Sequence, residues 1–246
     1  MDAEEGLARL RALGFAEADA AALWAHFDDA ERRGKPSHGH ARIPWLEGLE
    51  GFDPAAEPRC VAGGEGLERW DGGGAVGYLV LGRVVSEQLA RPPQGARLVV
   101  CERTFPTGML GHHVRRLAEG GLVAVLTATS PRRLGPPAGG PKLTGTNPLA
   151  LGIPSSGGAP VVADVSMGAV TWGDVVAGLA TEEQLVPFGG EQAHKAFALA
   201  VGFQLLVDAL VREPGHGAVL LVARPESDPV PALRDLAAGA RLPGDS

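Results

Sequence analysis

The residues best equipped for chemistry fall in four places along the chain. Ser37, His38, Gly39, His40, Ala41 and Arg42 form a polar run between Pro36 and the apolar Ile43-Pro44-Trp45-Leu46. Arg42 carries a planar guanidinium, which can hold a carboxylate through two parallel charge-assisted hydrogen bonds. His38 and His40 stand two residues apart, and with no third or fourth ligand evident they do not make a metal site. Gly145-Thr146-Asn147-Pro148 spells a tight turn, with glycine for close backbone approach and the Thr and Asn side chains as hydrogen-bonding groups. Asp164 ends the strand-like Val161-Val162-Ala163-Asp164, a common place for a functional carboxylate. Gly189 and Gly190 precede His194 and Lys195 at the head of an apolar helix, where free backbone amides can receive a phosphate or carboxylate.

These groups need elements to position them, and the hydrophobic spacing predicts an alternating α/β chain. Residues 3–33 read as two helices broken near Gly14, and residues 51–66 as a Pro/Gly-rich stretch. Helices are predicted over 75–89, 111–120, 195–212 and 229–239, and strands over 97–101, 122–128, 149–153, 160–164 and 217–223. The 195–212 helix is apolar on nearly every side and is expected to be buried. Gly72, Gly74 and Gly77 satisfy G-x-G-x-x-G, but EGLERWD before them does not read as a buried strand. No acidic residue stands convincingly at a strand end about twenty residues on, so the dinucleotide-binding fingerprint is rejected.

The bulk numbers exclude several classes. The chain has 246 residues, 45% hydrophobic and 21% charged, with a net charge of -7. That balance disfavours nucleic acid, whose binding needs clustered Lys and Arg. The acidic, amphipathic N-terminus lacks the pattern of a secretory signal, and no uncharged apolar run approaches the ~20 residues of a membrane span. Two cysteines, Cys60 and Cys101, make neither a disulfide framework nor a zinc pair, so a reducing cytoplasm is expected.

Four segments in order resemble the malate/L-lactate dehydrogenase family, whose relatives include ureidoglycolate and sulfolactate dehydrogenases and cyclic-imine reductases. They are AERRGKPSHGHARIPWL, KLTGTNPLALGIP, VVADVSMGAVTWGDV and LVPFGGEQAHKAFALAV. The resemblance implies a mixed α/β fold that is not Rossmann, with an N-terminal helical segment. It implies a single compact unit over 1–246. Within it lie an N-terminal helical segment (1–50), a mixed cofactor and substrate region (70–190, shortened near 174–186) and a C-terminal helix-strand-helix (191–246). It also implies an NAD or NADP cofactor, a small carboxylate-bearing substrate and a homodimer with its active site near the subunit contact. By the same resemblance Arg42 holds the substrate carboxylate, and Ser37 and His38 line the nicotinamide and substrate region. Gly145, Thr146, Asn147, Pro148, Asp164, Gly189, Gly190, His194 and Lys195 are then expected near the cofactor. The readings of 145–148 as a structural turn and as a cofactor contact both stay open.

The pattern breaks in several places. Met167 and Gly168 stand where the family has Thr-Ser, and Glu191-Gln192-Ala193 reads as an insertion. Aligning Gly108 and Gly111 with the family puts Pro106 where a histidine serves as general acid/base, and proline has no titratable group. Only about a dozen residues separate Gly173 from Pro187, where members carry several dozen. Three expectations follow. The substrate is an imine, whose protonated form already carries its proton. Alternatively, His112 or His113 supplies the acid, or both are merely exposed polar residues. In the third, redox chemistry is lost, leaving a non-redox enzyme on an amino or keto acid or a binding subunit.

Overall fold

The computed structural model describes residues 1–245. The chain opens with α1 (Ala3–Ala12), whose first turn is capped by Asp2 Oδ1 accepting from the Glu5 amide at 2.9 Å. A turn through Gly14 leads to α2 (Glu17–Arg32), then a 3-10 turn (Pro36–His38) and the short α3 (Arg42–Glu47). Leu10, Phe15, Leu23, Phe27, Ile43 and Leu46 bury one face of this helical layer, together with Val76, Tyr78 and Leu79.

A seven-stranded mixed sheet follows, in the order β1-β2-β3-β7-β4-β5-β6. Its strands are β1 (Arg59–Ala62), β2 (Leu67–Asp71), β3 (Ala96–Glu102), β4 (Val123–Ala128), β5 (Leu149–Ile153), β6 (Val161–Val165) and β7 (Ala218–Ala223). The predicted strands and helices fall on these elements within a few residues, and the mixed α/β class is the one observed.

Among the described residues only β2 and β3 pair in parallel, joined by α4 (Gly77–Ala90). The expectation that no strand precedes the glycine triplet is therefore corrected: Leu67–Asp71 is a strand. Its alternation was obscured because Glu68, one of its two inward residues, is charged and yet 2% exposed. Glu68 accepts from Gln88 Nε2 at 2.7 Å and from Trp70 Nε1 at 3.2 Å, and pairs with Arg97 at 3.2 Å. The glycines still make no phosphate cradle. A Cβ on Gly77 would lie 2.6 Å from the Pro106 carbonyl oxygen, so this glycine lets α4 pack against the 103–106 loop.

Helix α5 (Leu110–Glu119) lies over β4, β5 and β6. Gly152 in β5 makes room, since a Cβ there would meet the Val114 backbone. Helix α7 (Ala193–Leu210) departs from expectation. It buries only the stripe Ala193, Ala196, Ala200, Gln204 and Val207, while Leu199, Leu205 and Leu206 are exposed. Over Gly190–Leu210 it is long and apolar enough to cross a membrane by length and composition, with 28% of its apolar window buried. Its inner face is tied down by Asn147, whose amide donates to Ala200 O (3.1 Å) and Gln204 Oε1 (3.0 Å). Helix α6 (Trp172–Val176) and α8 (Val230–Ala237) complete the chain.

Arg97→Met would leave the buried Glu68 carboxylate without its cation. Removing one partner of a buried pair costs about 3–5 kcal/mol, so urea unfolding of this variant is expected to show a loss of that size. A midpoint equal to wild type would show that the pair does not hold the β2–α4–β3 unit together.

Candidate active site

The loops at one end of the sheet enclose a cavity of about 220 Å³ with the helical layer. The α2–α3 junction supplies Lys35, Ser37, His38, Arg42 and Trp45. The loop after β3 supplies Phe105 to Met109, and the loop after β4 supplies Ser130, Pro131 and Arg133. Thr146 and Pro148 come from the turn before β5, Asp164 and Ser166 from the end of β6, and Thr171 to Asp174 from the start of α6. Six chain segments, with Tyr78 of α4, thus converge because β3, β4 and β6 all end on this side.

Arg42 is 7% exposed. Its guanidinium stacks over the Trp45 ring at 4.9 Å and packs against the α-carbon of Gly173, where a Cβ would also come within 2.8 Å of the Ser37 carbonyl. Its Nε is buried without a hydrogen-bond partner. Ser37 Oγ lies 3.1 Å from His38 Nδ1. Burial, reinforced by the nearby Arg42 charge, pushes the His38 imidazole down to about 3. It is therefore neutral at physiological pH, a hydrogen-bonding group rather than a cation.

Asp174 and Thr171 form a capping box on α6. Thr171 donates to Asp174 Oδ2 from its amide (2.7 Å) and its hydroxyl (2.8 Å). Burial pushes the Asp174 carboxyl up, but the Ser37 and Thr171 hydroxyls and the Thr171 amide outweigh it, so the net shift is downward. Asp164 goes the other way. Burial raises its pKa, opposed by the Gly111 amide (2.7 Å) and the Lys35 charge. Arg133 stacks over Trp172 at 3.4 Å, and its Nε is also unbonded.

Of the residues singled out from sequence, Ser37, His38, Arg42, Thr146, Pro148 and Asp164 come together on the cavity wall, and Pro106 stands among them. Asn147 is fully buried with its amide turned to α7, and Gly145 gives its backbone room against Ser130. Gly189, Gly190, His194 and Lys195 are exposed and line no part of the cavity. Neither His112 nor His113 lines it either. His112 Nδ1 sits 2.9 Å from Asp29 Oδ2, and His113, expected as an exposed polar residue, is 1% exposed with neither ring nitrogen bonded. Sequence reading missed Arg133 and Tyr78. Arg133 sits in an aperiodic Gly/Pro loop, and Tyr78 sits in an apolar helix where a lone tyrosine reads as core.

A family profile described as malate/L-lactate dehydrogenase matches residues 6–185. The chain belongs to the malate/L-lactate dehydrogenase family. Family members among the solved structures are oxidoreductases. The chain is 26% identical to delta1-piperideine-2-carboxylate reductase from Pseudomonas syringae pvar. tomato, with a TM-score of 0.84 over 98% of this chain and 88% of that one. A dehydrogenase from Sinorhizobium meliloti gives 24% identity and a TM-score of 0.81, covering 98% and 86%. Sulfolactate dehydrogenase from Methanocaldococcus jannaschii gives 18% and 0.79, covering 98% and 83%. No curated sequence matches. Pro106 stands on the cavity wall of this malate/L-lactate dehydrogenase family member.

Gly173→Ala should push the Arg42 guanidinium off its seat. Calorimetric titration with oxamate, a small carboxylate, is expected to show binding weakened by about tenfold or more, the loss of roughly one charged hydrogen bond. Unchanged affinity would mean that Arg42 does not need this seat.

Proposed function

We propose that this chain is an NAD(P)-dependent reductase of a small 2-oxo acid or 2-imino acid. Its family membership supports dehydrogenase or reductase chemistry on small acids. The observation that carries the finer reading is Arg42: a buried guanidinium on a cavity wall, with an unbonded Nε and a neutral histidine beside it. A cation so placed calls for an anionic partner, and a carboxylate fits it in two-point geometry. Holding the carboxylate fixes the adjacent C2 carbon in the cavity. Ser37 and His38 stand beside that carboxylate, and Trp45 walls it from water.

The cavity also fits a nicotinamide group. Arg133 offers a buried Nε without a partner, a donor suited to an acceptor oxygen. Thr146, Pro148 and Asp164 line the same wall and would hold the ring with it. When bound, that cofactor supplies the hydride. The exposed glycine turn at 189–190, with His194 and Lys195, would serve only parts of the cofactor lying outside the cavity.

The homodimer belongs to this reading as well. The exposed leucines of α7, Leu199, Leu205 and Leu206, support a subunit contact there, and the free cysteines suit a cytoplasmic enzyme. Sedimentation of the wild type is expected to give a dimer, and Leu205→Glu with Leu206→Glu a monomer. A monomeric wild type would remove the dimer from the proposal.

The function is tested by melting the protein with NADH and with NADPH. Binding stabilises by mass action, about 2.7 kcal/mol at one hundred times the dissociation constant. A clear rise in melting temperature with either cofactor is expected, together with a fall of about 10–100-fold in kcat/KM for carboxylate substrates in Arg42→Ala. A melt unmoved by both cofactors at millimolar concentration would sink the reading. Turnover of a keto acid by cofactor-free protein would replace it with the non-redox enzyme that the loss of the histidine also allows.

A further inference from the structure

Reduction of a carbonyl or imine consumes a proton as well as a hydride, and Pro106 has none to give. Most other groups on the cavity wall are poor donors. His38 is neutral, Asp174 is held ionised, and the guanidiniums of Arg42 and Arg133 do not release protons in proteins. Asp164 already uses one oxygen as acceptor of the Gly111 amide. Lys35 contributes its charge to that carboxylate.

Tyr78, the chain's one tyrosine, has what the others lack. It lines the cavity and is 3% exposed, and its hydroxyl has no hydrogen-bond partner. A buried hydroxyl left unbonded is costly, a cost that a bound acceptor would relieve. The ring is held tightly from three sides. His26 and Phe27 of α2 meet it edge-on at 5.0 and 5.1 Å. Gly108 lies under it, where a Cβ would come 2.8 Å from Tyr78 Cδ1. Gly108 is two residues past Pro106, so the phenol packs on the loop that carries the family's histidine position.

We propose that Tyr78 is the proton donor of this pocket, its hydroxyl protonating the C2 oxygen or imine nitrogen of the substrate whose carboxylate Arg42 holds. This rests on the reductase reading above. As the hydride of the reduced nicotinamide adds to C2, the C2=O π pair moves to oxygen, and that oxygen takes the Tyr78 proton. The O–H bond of Tyr78 breaks as the new O–H bond of the 2-hydroxy acid forms. For an unprotonated imine, nitrogen takes the same proton to form the iminium that accepts the hydride. The nicotinamide is oxidised, the substrate is reduced, and the tyrosinate regains its proton from water. Burial raises the Tyr78 pKa and the Arg42 charge opposes that rise. The phenol is thus protonated before reaction, and the same cation stabilises the phenolate once formed.

A single tyrosine permits a direct readout. Protein labelled at tyrosine 13Cζ gives one resonance, which is expected to shift as oxamate saturates the pocket. A resonance that stays put, or no oxamate binding, overturns the placement of the hydroxyl. Tyr78→Phe removes the hydroxyl and keeps the ring. It is expected to bind oxamate within about threefold of wild type while kcat falls by about 10²–10⁴-fold, the usual worth of a positioned acid. An active wild type with Tyr78→Phe within a few-fold of it would overturn the proposal alone. So would the same loss of kcat in Asp164→Asn or Lys35→Met with Tyr78→Phe intact. A wild type inactive on every 2-oxo and 2-imino acid with both cofactors would remove the reductase reading, and the proposal with it.

Discussion

The site depends on keeping one guanidinium out of water without a counter-charge. Arg42 is almost fully buried, and among the described residues no carboxylate forms a salt bridge with it. Burying a cation this way is costly unless something compensates. The protein offers only partial compensation, the π face of Trp45. The rest of the pocket follows from that choice. The turn Pro36–His38 and the start of α6 must close on Arg42 from opposite sides, and a glycine at 173 is what allows them to meet. His38 must stay neutral, because a second cation beside the first would find neither water nor a partner.

The same geometry shows how far the sequence could be read. Ser37, His38, Arg42 and Asp164 were legible because their types and order are unusual and the flanking segments carry a family pattern. The elements beneath them were legible where burial imposes a period, as in α5, β4 and β7. β2 was not, because its inward positions include Glu68, whose burial makes sense only beside Arg97 and Gln88 from later elements. α3 and α6 span little more than a turn, too short to show a period. α7 misled for the opposite reason. An all-round apolar sequence says that much apolar surface wants covering, but not which cover it has within one chain. Arg133 and Tyr78 carried no local signal, since each gains its meaning from a partner far along the chain, Trp172 for one and the 105–108 loop for the other.

The histidines near Pro106 are explained by packing rather than proton transfer. His26 Nε2 accepts the Met109 amide at 3.1 Å, which ties the loop beyond Pro106 to α2. Burial, with His112 and His113 nearby, holds the His26 imidazole well below its usual range. The His26 and His113 rings lie 5.1 Å apart, and the His26 and His112 rings 4.5 Å. Three imidazoles between α2 and α5 thus support the loop from behind. A histidine count around position 106 would suggest a surviving acid, yet these rings face the helical layer and not the cavity.

The stretch between Gly173 and Pro187 is short. The chain closes it by joining residues on either side directly. The Ala169 amide donates to Val186 O at 2.7 Å, and the Phe188 amide to Met167 O at 3.2 Å. The family profile ends at residue 185, beside this junction, yet β7 lies beyond it and pairs with both β3 and β4. The last part of the chain is therefore central to the sheet, where β7 supplies apolar side chains in register with both neighbours. Trp45, Ser37 and Gly173, which meet around Arg42, all come before this junction.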